Sequence, residues 1–181
     1  MLIVENGSVV ERADSFISLV DARVTALKYG ITLPADDGEA EVTIRKAYLL
    51  LLQEEKTLQG KRVSANQTGI FPREGVKLNC FDLDENLIPN EVKLAQLYAV
   101  EAIQSGASIN NVDNGQRLSS FNVDGVYSES YQDGSDTSTN PTIQGVYNQL
   151  YPLTKAGLAS SGCGFSSGFG ELTTNTYGWL G

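Results

Sequence analysis

The chain has 181 residues, 41% of them hydrophobic, with 13 basic against 22 acidic side chains, a formal charge of −9 and no histidine. That length suits one domain with a sizeable core, and no apolar run reaches the roughly 18 residues that a membrane span needs. Acidity argues against general affinity for nucleic acid, since phosphate binding depends on lysine and arginine displacing counterions. The missing histidine removes Ser–His and Cys–His nucleophilic pairs and the commonest general base.

Met1-Leu2-Ile3-Val4 runs straight into Glu5 without a basic region, so no signal peptide is expected. Leu2–Val4 and Val9–Val10 flank Asn6-Gly7, a signal for a tight hairpin turn or a strand end. Ser18-Leu19-Val20-Asp21 has capping-box spacing. It predicts a first helix from Leu19 to Tyr29 that stops at Gly30, with Leu19, Ala22, Ala26 and Tyr29 on one narrow inner face. Pro34 and Asp36-Asp37-Gly38 make residues 31–38 a loop.

A second helix is expected from Glu39 to Leu58, where Ala40, Ile44, Ala47, Tyr48, Leu51, Leu52 and Leu58 recur at spacings of three, four and seven. Leu49 and Leu50 widen its apolar face, as in a central helix or one that meets another subunit. Residues Gln67 to Lys93 then form a long connector fixed by Pro72 and Pro89, with Ile70, Phe71, Val76, Leu78 and Ile88 as apolar anchors. An ordered loop that packs on the helices while reaching outward is expected here. The third helix runs from Pro89 to about Ser105, and its stripe of Val92, Ala95, Ala99, Ala102 and Ile103 allows close packing on the second helix.

Beyond Gly106 the pattern changes to Val, Tyr and Phe among Ser and Asn. It predicts a hairpin arm over about 108–132 with its turn at Val123-Asp124-Gly125-Val126. Residues 133–140 read as a polar break, and a short helix follows Pro141 from Thr142 to Leu150. The fold class is therefore mainly α with a β-hairpin (α+β), a small helical bundle with long ordered loops. A core of residues 1–157 carries the inserted hairpin, and residues 158–181 form an extended Gly/Ser-rich tail. Phe165, Phe169, Tyr177, Trp179 and Leu180 lie along that tail, too many large apolar groups for a mere linker. They suit an anchor that buries aromatics in a neighbour's pockets. A disordered tail, or one folded over its own core, is the plainer alternative.

Chemistry is sparse. Cys80 and Cys163 lie far apart in sequence and read as reduced, packed thiols of a protein made in the cytosol, and two cysteines without histidine cannot form a zinc site. Asp82-x-Asp84-x-Asn86 starts like a calcium loop, but Leu87 replaces the glycine and Lys93 the bidentate acid. Glu54 and Glu55 are adjacent and diverge on a helix. No catalytic residue, metal or cofactor is expected, and the chain does not read as an enzyme. Between Arg45 and Lys77, seven basic residues (Arg45, Lys46, Lys56, Lys61, Arg62, Arg73, Lys77) face three acidic ones (Glu54, Glu55, Glu74). Lys61, Arg62 and Lys77 are the candidates for contact with DNA or an acidic partner, ordinary solvated charge being the bland account.

Several short segments together carry a family resemblance. They are Met1–Gly7, Ala13–Ala22, Arg45-Lys46-Ala47-Tyr48, Leu58-Gln59-Gly60-Lys61-Arg62, Phe71-Pro72-Arg73 and Ile88-Pro89 to Ala102, with a weaker echo at Gly125–Tyr131 and Tyr147–Leu153. Over about two thirds of its length the chain resembles tailed-phage proteins labelled DnaT-like single-stranded DNA-binding proteins. It departs where Phe71 replaces a usual Trp before the Pro-Arg pair and where another Trp near the Gly-Lys pair is absent. The resemblance implies a head-to-tail adaptor, a structural virion protein of the neck. Such a subunit would be made in the host cytoplasm and form a ring, expected to be dodecameric, that lines the DNA exit channel. Implied partners are the portal protein, further copies of itself, and a stopper or tail-terminator protein, with DNA passing without sequence-specific contact and no membrane. Phe71, Pro72 and Arg73 would then be loop contacts. The competing function is single-stranded DNA binding, which needs a positive groove interleaved with stacking aromatics. An inhibitor or chaperone of another phage protein is a third class.

Overall fold

The computed structural model describes residues 1–106, 120–123, 127–130 and 141–163. Three helices frame the core: α1 (Leu19–Tyr29), α2 (Asp37–Leu52) and α3 (Asn90–Gln104). The hydroxyl of Ser18 accepts from the Asp21 amide at 3.1 Å and donates to the Asp21 carboxylate at 2.7 Å, which starts α1 where the capping box predicts. Gly30, at φ +70°, ends it in the left-handed conformation that glycine adopts without penalty. Asp36 caps α2 through the Glu39 amide at 2.9 Å.

The second helix is shorter than its periodicity suggests. It ends at Leu52 and tightens into a 3₁₀ turn over Gln53–Thr57. Continuing the buried stripe from Leu51 would carry Glu55 into the core four residues on. The tighter turn leaves Glu55 at the surface and still brings Leu58 inside, where it is fully buried and bridges to Thr154. Pro89 is the cap of α3 rather than its first helical residue, with extended backbone at φ −60°, ψ 148°.

Between α2 and α3 run four two-residue strands, β1 (Lys61–Arg62), β2 (Arg73–Glu74), β3 (Lys77–Leu78) and β4 (Phe81–Asp82). β1 pairs antiparallel with β2, matching Arg62 to Arg73, and β3 pairs with β4, matching Leu78 to Phe81. The predicted arm is present as β5 (Ser120–Val123) and β6 (Tyr127–Ser130), whose register pairs Ser120 with Ser130 and Val123 with Tyr127. Helix α4 (Pro141–Leu150), a 3₁₀ turn (Tyr151–Leu153) and α5 (Lys155–Ser160) complete the described chain. The architecture is thus mainly α with a β-hairpin.

α3 packs on both α2 and α4. Of its expected stripe, Val92, Ala95, Ala99 and Ala102 have no exposed surface, while Ile103 is partly buried against the core. Gln96 shares that interior. Its Oε1 accepts from the Phe16 amide at 2.9 Å, and its Nε2 donates to the Ile44 carbonyl at 3.0 Å and to Ser15 Oγ at 3.2 Å. One polar side chain thereby joins the N-terminal segment to α2, satisfying groups that burial would otherwise leave unpaired.

Several expectations need correction. Asn6-Gly7 does not turn a hairpin. The buried Glu5 carboxylate instead accepts from the amides of Gly7, Val9 and Val10 at 2.8, 3.1 and 2.9 Å, which winds residues 5–10 around one side chain. Gly7 (φ +103°) also lies so close to the Asn86 carbonyl that a Cβ would sit 1.6 Å from its oxygen. Tyr29 is 53% exposed rather than on the inner face of α1, and of the leucine pair only Leu50 is buried. Cys80 and Cys163 are joined in a disulfide, with Cα atoms 5.1 Å apart. The β3–β4 turn, left-handed at Asn79 and Cys80, meets the end of α5, a proximity that 83 residues of sequence separation hide.

Candidate functional site

The connector that dominates the sequence folds as a clamp around one arginine. Gln59, Gly60 and Ile70 turn their carbonyls inward, and Arg73 donates to them at 2.7, 2.8 and 3.3 Å. Its Nη1 also approaches Glu55 Oε1 at 3.4 Å. Arg62 grips the same carboxylate with two 2.6 Å bonds and donates to the Gln67 carbonyl at 2.6 Å. Gln67 Nε2 donates to the carbonyls of Gly69 and Pro72 at 2.9 and 2.8 Å. Gln59 performs the same service on the other side, donating to Pro152, Thr154 and Lys77 carbonyls and accepting from the Lys77 amide at 2.9 Å. Backbone carbonyls of an irregular loop are thus satisfied by side chains, as a ladder would satisfy them in a sheet.

Electrostatics follow from this geometry. The Arg62 guanidinium, helped by Arg73, holds the Glu55 carboxyl below its ordinary range. Burial lowers Arg73 while Glu55 opposes the shift. Burial also raises Tyr48, whose ring stacks at a tilt on Phe16 with centroids 4.9 Å apart. Glu54 is raised by burial, opposed by a hydrogen bond with Tyr147.

Phe71, Pro72 and Arg73 are all buried within the protomer, Phe71 completely, and the Phe71–Pro72 peptide is cis. They are therefore corrected from outward contacts to internal fasteners of the loop. Lys61 is exposed but pairs with Glu74 at 2.6 Å, and Lys77 pairs with Asp82 at 2.6 Å. Arg45 pairs with Asp14 at 2.7 Å and Glu41 at 3.4 Å. Of the seven cations between Arg45 and Lys77, five engage carboxylates among the described residues: Arg45, Lys61, Arg62, Arg73 and Lys77. Phe165, Phe169, Tyr177, Trp179 and Leu180 lie outside the described residues.

Several large apolar side chains also reach the surface. Val20, Val24 and Leu27 on α1, Val42 and Leu49 on α2, and Phe81 at the β3–β4 turn are exposed. A cleft of about 580 Å³ opens between α1 and the start of α3, walled by Ile17, Tyr29, Leu87 and Leu94 with Lys28 and Lys93. A smaller hollow of about 340 Å³ lies beside Glu54, Tyr147, Tyr151 and Lys155. The sequence reading missed Glu55, Gln59 and Gln67. Their only signal was their place beside arginines and prolines in a loop too irregular to pair its own backbone.

Residues 1–167 match the model of a family described as "Putative DnaT-like ssDNA binding protein". The chain belongs to that family. Neither a curated protein nor a solved structure matches it.

Proposed function

We propose that the protein is a structural assembly subunit, a head-to-tail adaptor of a tailed phage that forms a ring between portal and tail and lines the DNA channel. The observation carrying this reading is the pairing of five of the seven cations in the Arg45–Lys77 stretch with carboxylates of the same protomer. Neutralised cations on a chain of net charge −9 suit a wall along which DNA slides without adhering. Exposed aliphatic groups on α2, Val42 and Leu49, suit burial against protein neighbours. In this reading the partners are the portal, further copies in a closed ring and a stopper or tail terminator, and the aromatic segment 164–181 anchors the subunit.

The test is particle composition. Full-length chain is expected in purified portal-containing particles, while a chain ending at Cys163, which keeps α5 and the disulfide, is expected to stay out of them. Absence of the full-length chain from such particles overturns the reading, and incorporation of the shortened one removes the anchor. A second reading, single-stranded DNA binding, is favoured by the description of the family itself. It requires oligonucleotide binding that falls steeply with salt and weakens on Lys46→Ala with Lys61→Ala.

A further inference from the structure

The outer face of α1 is apolar where a surface helix is ordinarily polar. Ala22 and Ala26 bury its inner side, yet Val20, Val24 and Leu27 stand out at 73%, 52% and 84% exposure. Spacings of four and three gather the three side chains within an arc of about 60°, directed away from the core. Such a ridge differs from the single exposed apolar residues found on any protein.

Charge on this face has a direction. Asp21 and Lys28 are exposed, lie on the same flank of the ridge and stand seven residues apart, about 10 Å along the axis. Arg23, on the opposite flank, is held by Asp37. Asp21 takes the Ser18 hydroxyl, and neither Asp21 nor Lys28 forms an ion pair among the described residues.

We propose that α1 packs antiparallel on α1 of a second copy of this chain, about a two-fold axis beside Val24, giving an isologous dimer of the unassembled protein. Two antiparallel helices related in this way bring the same flank of each together. Asp21 then meets the partner subunit's Lys28 and Lys28 meets the partner subunit's Asp21, while Val20 lies along the partner subunit's Leu27. A parallel pairing would set that flank against the one carrying Arg23, which Asp37 already holds, and would leave Lys28 facing no carboxylate of α1. Residue i meeting j and j meeting i is the signature of a two-fold contact, whereas a ring uses two different faces. The dimer is therefore a separate property from the adaptor reading. An 11-residue helix is only about 16 Å long, so the contact belongs with small, concentration-dependent interfaces.

Native mass spectrometry and light scattering of the full chain, from micromolar to millimolar, should show a monomer–dimer equilibrium. Lys28→Glu alone and Asp21→Lys alone should each weaken dimerisation roughly tenfold or more, by placing like charges together at two points. Mixing the two variants should restore a dimer made of one copy of each, because the retained Asp21 of one copy then meets the retained Lys28 of the other, and the two substituted positions form the second ion pair with reversed sense. Val24→Gln with Leu27→Gln should abolish association while circular dichroism stays unchanged. Should Asp21→Lys fail to fold through loss of its cap, Lys28→Glu and the double glutamine variant decide. A wild-type chain monomeric throughout, a dimer indifferent to Lys28→Glu, or a folded mixture no tighter than either variant alone overturns the proposal. Each of these outcomes leaves particle incorporation, the test of the adaptor reading, untouched.

Discussion

Replacing Glu55 with Gln isolates the electrostatic part of the loop clamp. The change keeps side-chain shape and removes a charge that lies 2.6 Å from two nitrogens of Arg62 and 3.4 Å from Arg73. The new amide oxygen still accepts from Arg62, but the amide nitrogen sets a donor against a donor. Breaking a buried pair by deleting one partner costs about 3–5 kcal/mol, and exposed pairs are worth about 0–1 kcal/mol. Arg73 is buried while Glu55 keeps 32% of its side chain exposed, so the expected loss lies between, about 2 kcal/mol. For a chain of this size that lowers Tm by about 4–8 °C.

The same pair fixes a pH dependence. Glu55 has a folded-state pKa held down by Arg62 and Arg73. Its stabilising contribution is fully present above the unfolded carboxyl value of about 4.3 and is lost as pH falls through the lower folded value. Urea denaturation should therefore show the deficit of Glu55→Gln at neutral pH and a gap that narrows steadily below about pH 4. A deficit under about 0.5 kcal/mol at neutral pH, within the range of an ordinary surface change, refutes the clamp as a source of stability. A gap that persists undiminished in acid refutes the charge as its cause.

Two further substitutions test the packing around this loop. Ala99→Leu inserts three carbons into a fully buried position on α3 and should cost about 1–3 kcal/mol by denaturation, whereas a neutral result would mean that the seam has room. Glu5→Ala strips the acceptor from three amides at a site with 1% exposure and should cost about 3 kcal/mol, with Glu5→Gln recovering part because its amide oxygen still accepts. Equal melting of the two Glu5 variants would show that the amides find water instead.

Helices were legible because their signals are local. Ser18 and Gly30 mark both ends of α1, and the Val92–Ala102 stripe is buried along α3. The hairpin arm was legible for the same reason, from β-rich composition and a turn sequence at 123–126. What stayed hidden depends on partners distant in sequence. Glu55 reads as one of two adjacent surface acids until Arg62 and Arg73 converge on it. Gln96 reads as the polar side of a helix until Ser15, Phe16 and Ile44 surround it. Asn6-Gly7 reads as a hairpin turn or a strand end because no local rule states that the preceding carboxylate will collect three amides. Phe71, Pro72 and Arg73 read as loop contacts yet are buried within the protomer, since apolar and basic residues in a loop look the same in sequence whether they face a neighbour or their own backbone.

The inward orientation of these side chains bears on how DNA binding is told apart from assembly. A cation contributes to DNA binding by replacing condensed counterions at phosphate, and the gain is net of any pair it must first surrender. Arg62 and Arg73 would leave not only Glu55 but also the carbonyls of Gln59, Gly60, Ile70 and Gln67, unpicking the loop in the process. They are therefore structural charges, and a loss of binding on their substitution would report the unfolded connector rather than a phosphate contact. Lys46 and Lys61 are exposed and take no part in the clamp, so their loss reports on phosphate contact without disturbing the loop. A salt slope that survives their removal would place any DNA contact elsewhere on the chain.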